Sequence, residues 1–323
     1  MNQVFQGSFF DKYVLDGNFM AMAKKKIIGV FIGVSLLLVY VFKAYAQSTP
    51  VVSSEPMSEV WINLSEKEFK SKISSFARKG YAPVDFEVIT GTESRTYALV
   101  MKKLTKKRKS IVRTQLEEGE FKDTWRELLR KGYRPIDVES YSFESRPYMG
   151  AIWIKDRSVS WVSYESLDVK AFDLVTEEAR SNTKIPIDIN AYIRNSRVKF
   201  TAIYAENIEG HEWLLERGLD YEGFESYTQN MYQKGYSLID TTLYTNKNGI
   251  VYAAVWKEDG KEWKIFDNLD ETGLNEVIAL NNPNGYFVHD IEVKRTREGL
   301  RYTALLTEVP VIEAKSKGAF KLF

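Results

Sequence analysis

The chain has 323 residues, 44% hydrophobic and 14% aromatic, which is ample for a sizeable core and argues against general disorder. A formal charge of +1, from 45 Lys and Arg against 44 Asp and Glu, argues against nucleic acid as a partner. Cysteine is absent, which excludes disulfides, thiol catalysis, cysteine-ligated metals and lipid attachment through an N-terminal cysteine.

From the N-terminus, Lys24, Lys25 and Lys26 precede the apolar run IIGVFIGVSLLLVYVF at 27–42. Ala44-Tyr45-Ala46 then fits the small-x-small rule for signal-peptide cleavage and makes Gln47 the first mature residue. The run has 16 residues, short of the roughly 20 that span a bilayer, so residues 1–46 read as an extension plus removable signal. A retained anchor at 27–42 is the alternative. The chain is expected to be secreted or periplasmic, or else membrane-anchored and facing outside the cytoplasm. The mixed stretch before Met20 is unusual ahead of a signal and points to initiation at Met20 or Met22. Without residues 1–46 the chain keeps 40 basic and 42 acidic residues and is close to neutral.

After a linker at 47–57 the sequence repeats. Asp85, Asp137, Asp188, Asp240 and Asp290 are 52, 51, 52 and 50 residues apart. Twenty-one positions before each stands Leu64, Leu116, Leu167, Leu219 or Leu269, and sixteen before stands Phe69, Phe121, Phe172, Phe224 or Leu274. Sixteen after stands Met101, Trp153, Tyr204, Trp256 or Leu306. Five units follow, at about 58–108, 109–160, 161–212, 213–262 and 263–310, with a tail at 311–323.

Within a unit, an extended stretch leads to the leucine. Ser65, Asp168, Asp220 and Asp270 then stand where a helix N-cap accepts from the free first-turn amides, while the second unit has Glu117. In the second unit FKDTWRELLRKG places Phe121, Trp125, Leu128 and Leu129 on one helical face. Gly80, Gly132, Gly235 and Gly285 fit the left-handed residue that ends a helix. The third unit has Thr183-Lys184 there and Pro186 beyond, so its helix is expected to end differently. Two strands close each unit as a hairpin, signalled most clearly by Asn248-Gly249. The small residues Ala98, Gly150, Thr201, Ala253 and Thr303 in the last strand fit close approach of another layer. The predicted unit is strand, helix, strand, strand, and each copy is the wall on which the next packs.

These columns, ending in Lys-Gly-Tyr, Asp and Tyr-x-Ala-x-Trp, resemble the bacterial tandem repeats found beside or within secreted serine hydrolases, including the N-terminal region of polyglycine hydrolases. The likeness is closest in the fourth unit, LDYEGFESYTQNMYQKGYSLIDTTLYTNKNGIVYAAVWKEDGKEW, and covers about 58–310. It implies an extracytoplasmic repeat domain. In such hydrolases catalysis belongs to a separate domain of the serine beta-lactamase type, for which VIEAKSKGAFKLF leaves no room.

Candidate chemistry is sparse. Ser181-Asn182-Thr183-Lys184 and Ser196-Arg197-Val198-Lys199 match Ser-x-x-Lys, without the companion Ser-Asp-Asn or Lys-Thr-Gly. His211 and His289, the two histidines, lie in different units and make neither a triad nor a His-rich metal site. The aspartate column is the sharper idea: five carboxylates lining a shared channel or a cation site, against the plainer reading of hydrogen bonds within each repeat. Trp161, Trp213 and Trp263 are the candidate aromatic contacts for a glycan or peptide. KKLTKKRKS at 102–110 reads as a solvated linker. No cofactor or catalytic residue is assigned.

The expected fold is α+β, five βαββ repeats in a closed toroid, propeller-like ring or curved solenoid. The expected function is a non-catalytic binding or scaffolding module whose partner is an extracytoplasmic protein or glycan. A hydrolase resembling the repeat-bearing serine enzymes and a membrane-anchored envelope component are the alternatives, and membrane contact arises only if 27–42 persist.

Overall fold

A computed structural model describes residues 4–6, 57–91, 94–104, 108–247 and 249–308. The signal-like run, its cleavage site, most of the 47–57 linker, Asn248 and the tail lie outside these described residues. A short strand, β1 (Val4–Gln6), stands before the repeats.

The first unit comprises β2 (Ser58–Leu64), α1 (Glu66–Arg78), β3 (Tyr81–Thr90) and β4 (Arg95–Lys103). The second comprises β5 (Ser110–Leu116), α2 (Glu118–Arg130), β6 (Tyr133–Phe143) and β7 (Arg146–Lys155). In the third are β8 (Trp161–Leu167), α3 (Val169–Ser181), β9 (Lys184–Arg194) and β10 (Arg197–Glu206). The fourth contains β11 (Trp213–Leu219), α4 (Tyr221–Gln233), β12 (Tyr236–Asn246) and β13 (Gly249–Glu258). The fifth contains β14 (Trp263–Leu269), α5 (Glu271–Asn281), β15 (Tyr286–Thr296) and β16 (Gly299–Glu308).

Every unit folds its three strands into an antiparallel sheet in the same order. The last strand is central, the strand before the helix forms an outer edge, and the aspartate-bearing strand forms the inner edge. β1 extends the fifth sheet, with Val4 opposite Phe266 on β14. Because the inner strand is an edge, it tolerates Pro83, Pro135 and Pro186, which have no amide to donate to a ladder.

The helix starts follow the cap chemistry. Asp168, Asp220 and Asp270 accept from the amides of Ala171, Gly223 and Gly273 at 2.8–2.9 Å. Ser65 accepts from Glu68, and in the second unit the Glu117 amide donates to Glu120 at 3.1 Å. At the other end Gly80, Gly132, Gly235 and Gly285 have φ between 79° and 88°.

The third helix does not end differently. It has 13 residues, and Thr183 takes the glycine's place at φ 54°. A tertiary bond explains this. The Thr183 carbonyl accepts from Asn207 at 2.9 Å, as the Gly80, Gly132 and Gly235 carbonyls accept from Leu104, Asp156 and Gly260. A β-branched residue is thus held in a conformation that sterics disfavour.

Five apolar clusters make the core, one at each junction between units. Phe69 and Met101 of the first unit meet Val112 and Ile152 of the second. Phe121 and Trp153 meet Ile187 and Ile203, Phe172 and Tyr204 meet Ala253 and Val255, and Phe224 and Trp256 meet Ile265 and Leu305. The fifth cluster joins Leu274 and Leu306 of the last unit to Ala98 and Val100 of the first. The column of small residues allows these contacts: a Cβ on Gly150 would lie 2.8 Å from both the Arg113 carbonyl oxygen and Phe86 Cζ.

Nothing lies within 4 Å of a Cβ built on Gly235, so Gly235→Ala meets only the backbone penalty. It should cost about 1 kcal/mol, and Thr183→Gly should gain a similar amount. Thermal melts should move by about 2 to 4 °C in opposite directions. No loss for Gly235→Ala would reject the conformational account.

Candidate functional site

The five inner strands bring the aspartates together through one repeated irregularity. In each, the pairing register slips at the residue before the aspartate: Val84, Ile136, Ile187, Ile239 or His289. Such a bulge re-aims the following side chain. The aspartate therefore reaches out of its own sheet to the preceding unit. Asp188 Oδ2 accepts from the Val138 amide at 3.2 Å, and Asp240 Oδ2 from Ile189 at 2.6 Å. Asp85 Oδ2 accepts from Ile291 at 3.0 Å, across 206 positions of sequence. The expectation of bonds inside each repeat is corrected by these contacts, which cross the junctions.

A second layer lies two residues further on: Glu87, Glu139, Asn190, Thr242 and Glu292. The Ser140, Ala191 and Leu243 amides donate to Asn190, Thr242 and Glu292 at 3.1, 3.2 and 3.3 Å. Asn190 Nδ2 donates back to Glu139 at 3.1 Å. All ten side chains are buried. The glutamates escaped the sequence reading, although an Asp-x-Glu phrase recurs at 85–87, 137–139 and 290–292. Asn190 and Thr242 interrupt that column and hide it.

Eight carboxyl groups thus share one buried region, and no ion pair reaches any of them among the described residues. Burial disfavours the charged form and lifts them all above the ordinary carboxylate range, with mutual repulsion adding to it in most of them. Asp188 is pushed up to about 8 by burial and then by Asp290, while burial brings Asp290 to about 7. Asp137 neighbours Asp188, and Glu87 neighbours Glu139, and each neighbour holds back part of its partner's rise. Two adjacent buried carboxyl groups resist being charged together. One oxygen each of Asp137 and Asp290 has no partner among the described residues. Even so, no group of three or more His, Asp or Glu among those residues converges enough to hold a metal ion.

The tryptophan candidates share one position, the first residue of an outer strand, and each meets the preceding unit's helix. Trp213 lies under the Arg180 guanidinium at 3.9 Å and is 4% exposed. Trp263 packs on Tyr232, donates to the Tyr236 carbonyl at 3.1 Å and is 2% exposed. Both are junction residues, closed to a ligand. Trp161 packs edge-on against Trp125 at 5.1 Å but stays partly exposed. It borders an open groove of about 570 Å³ with Tyr133, Arg157, Ser160 and Glu165.

The Ser-x-x-Lys matches do not form nucleophile pairs. Ser181 Oγ donates to the Glu177 carbonyl at 3.0 Å, whereas Lys184 donates to Ser160 at 3.2 Å. Ser196 sits in a hairpin turn at φ 58° and Lys199 in the strand that follows. His211 contacts Glu209 at 2.8 Å.

Five βαββ units joined through buried acids define a tandem-repeat module. A family model described as a polyglycine hydrolase-like structural repeat matches residues 56–104, 108–156 and 210–259, the first, second and fourth units. Three of the five units therefore carry the polyglycine hydrolase-like structural repeat. The third and fifth units keep the same elements and bulge but depart at Thr183-Lys184, Leu274 and Leu306. No curated protein matches the chain.

The acid core sets a pH dependence. Unfolded aspartate titrates near 3.9, whereas Asp290 and Asp188 titrate at about 7 and 8 when folded. The folded state binds more protons in that window, so the stability these groups contribute is full below about pH 4 and is lost as pH rises through 7 to 8. Melting temperature should fall between about pH 5 and 9. Asp188→Asn should flatten that fall and raise the melting temperature at about pH 8, since an amide oxygen still accepts from Val138 and does not titrate. An unchanged slope would refute the assignment.

Proposed function

We propose that the five units close into a ring and that the protein serves as a non-catalytic binding or scaffolding module outside the cytoplasm, secreted or periplasmic. The observation that carries closure is the Ile291 amide bonding to Asp85, the same contact that joins consecutive units. The mixed cluster of the fifth and first units supports it. In such a ring the inner strands surround a centre filled by the acid layers, and the helices and outer edges remain for contact with partners.

A binding role is supported by the fate of the reactive candidates, since Ser181, Lys184 and His211 are engaged in local structure. Trp161 and its groove are the aromatic surface suited to an extracytoplasmic protein or glycan. Export is supported by the charged, apolar and small-residue pattern at 24–46.

Closure is tested by circular permutation. A chain beginning at residue 108 and ending at 104, with 308 and 57 joined by a short linker, should melt within about 5 °C of the parent. A collapse into separately melting parts would reject the ring.

Function is tested by immobilising the mature chain and exposing it to envelope and secreted extracts, analysing proteins and glycans. A saturable partner, lost with Trp161→Ala at unchanged melting temperature, is the expected outcome. Turnover by highly purified protein that disappears with Ser181→Ala or Ser196→Ala would overturn the non-catalytic reading. Recovery of residues 27–42 in membrane-bound chains would make it anchored instead.

A further inference from the structure

Two breaks in the repeat meet at the groove beside Trp161, between the second and third units. The first is a missing cover. Eight residues before each aspartate, at the end of each helix, stand Ala77, Leu129, Arg180, Tyr232 and Asn282. Where a tryptophan opens the next outer strand, this residue shields it. Arg180 holds its guanidinium 3.9 Å from the centre of the Trp213 ring, and Tyr232 sets its ring edge-on at 6.1 Å from Trp263. At the remaining tryptophan the shield is absent: Leu129 is 51% exposed, Trp161 is partly exposed, and both line the open groove of about 570 Å³.

The second break is one of charge. Between the third and fourth units, Asp173 on the helix takes two bonds from Arg217 on the outer strand, at 2.7 and 2.5 Å. The same two positions one unit earlier hold Lys122 and Glu165, with the signs exchanged. Lys122 pairs instead with Glu118 at 2.8 Å, and no ion pair reaches Glu165 among the described residues. Glu165 is partly buried and lines the groove. The other charges there are engaged. Asp156 is paired with Arg134 at 3.1 Å, and Arg157 donates to the Arg130 carbonyl at 3.3 Å and lies over Gly132, where a Cβ would clash with it.

The groove therefore repeats the setting of Arg180 without the arginine. Trp161 stands opposite Ala205 in the register that sets Trp213 opposite Lys257. Its carbonyl is thus turned to the edge at which the Trp213 carbonyl accepts from Arg180 at 2.8 Å. Trp125 braces the Trp161 ring edge-on at 5.1 Å, and the C-terminal end of α2, with its unpaired carbonyl dipoles, closes one side and favours a cation.

We propose that this groove takes an arginine side chain of a partner polypeptide, with the guanidinium laid on the Trp161 ring and the Trp161 carbonyl and Glu165 as acceptors. A planar guanidinium stacks on an indole while donating in its own plane, which an ammonium or a sugar hydroxyl cannot do. The proposal rests on the binding role assigned above to the Trp161 groove and narrows its ligand from protein or glycan to a protein presenting arginine.

The probes are three peptides capped at both ends, with a central arginine, lysine or citrulline between glycines, citrulline being the neutral match in shape. They are titrated into nitrogen-labelled full-length protein and followed at the Trp161 indole resonance, identified by its loss in Trp161→Phe. The arginine peptide should saturate and bind about tenfold more tightly than the citrulline peptide, with lysine between them. Glu165→Gln should weaken the arginine peptide by about three- to tenfold.

Leu129→Arg writes the third unit's own shield into the second. It should fill the groove from within, abolish peptide binding and leave the melting temperature unchanged or higher. Leu129→Tyr, after the fourth unit, serves if the arginine variant fails to fold. Arginine binding no tighter than citrulline or lysine, indifferent to Glu165→Gln, or surviving both Leu129→Arg and Leu129→Tyr would overturn the proposal. The wider binding role is judged separately by Trp161-dependent capture: a partner caught while the arginine peptide fails removes the guanidinium ligand and leaves the module.

Discussion

The structure depends on a hydrogen bond from the main-chain amide of one inner strand to the carboxyl of the next unit's aspartate. The inner strand is a sheet edge, and an edge buried without acceptors costs free energy for every orphan amide. Asp188 and Asp240 supply acceptors to Val138 and Ile189, and the second layer does the same for Ser140, Ala191 and Leu243. A single unit cannot satisfy its own edge. The array has to supply each edge with a neighbour, and the last unit finds one in Asp85.

Choosing carboxyl groups for this task has a consequence. A backbone amide favours the ionised form of its acceptor, but burial and mutual repulsion oppose it, and for Asp85, Asp240 and Asp290 burial is the larger influence. The edges are therefore sealed by acids that carry protons. Cohesion between units is thereby linked to pH, although no switch element or exposed site is involved. Salt should screen this coupling poorly, because the groups lie out of solvent.

Most of the unit was legible in sequence because its signals are local. Caps at Ser65, Asp168, Asp220 and Asp270 act within one turn, and the terminal glycines act through their own φ. The aromatic columns also announced a core between copies. The direction of the aspartates was hidden: the bulge residue is Val or Ile in four units, which fits an ordinary strand, and a slip of one residue turns the following side chain. Trp213 and Trp263 were misleading for a related reason. Their cover comes from Arg180 or Tyr232 on the previous helix, chemically unlike residues that form no visible column. Thr183 shows tertiary structure overriding local preference, since the Asn207 bond fixes a turn that glycine would adopt more readily.

The breaks in the repeat are therefore more informative than the repeat itself. In the second layer, the third unit replaces a carboxyl by Asn190, whose oxygen accepts from Ser140 while its nitrogen donates to Glu139. A carboxylate can only accept, so the amide satisfies both neighbours and removes one group that would need a proton. Thr242 likewise accepts from Ala191 without adding charge. Acidic residues persist in that layer only in the first, second and fifth units. Five copies of one backbone thus acquire a polarity. The third and fourth units carry a second layer without carboxyl groups, and the fifth, first and second carry its acids.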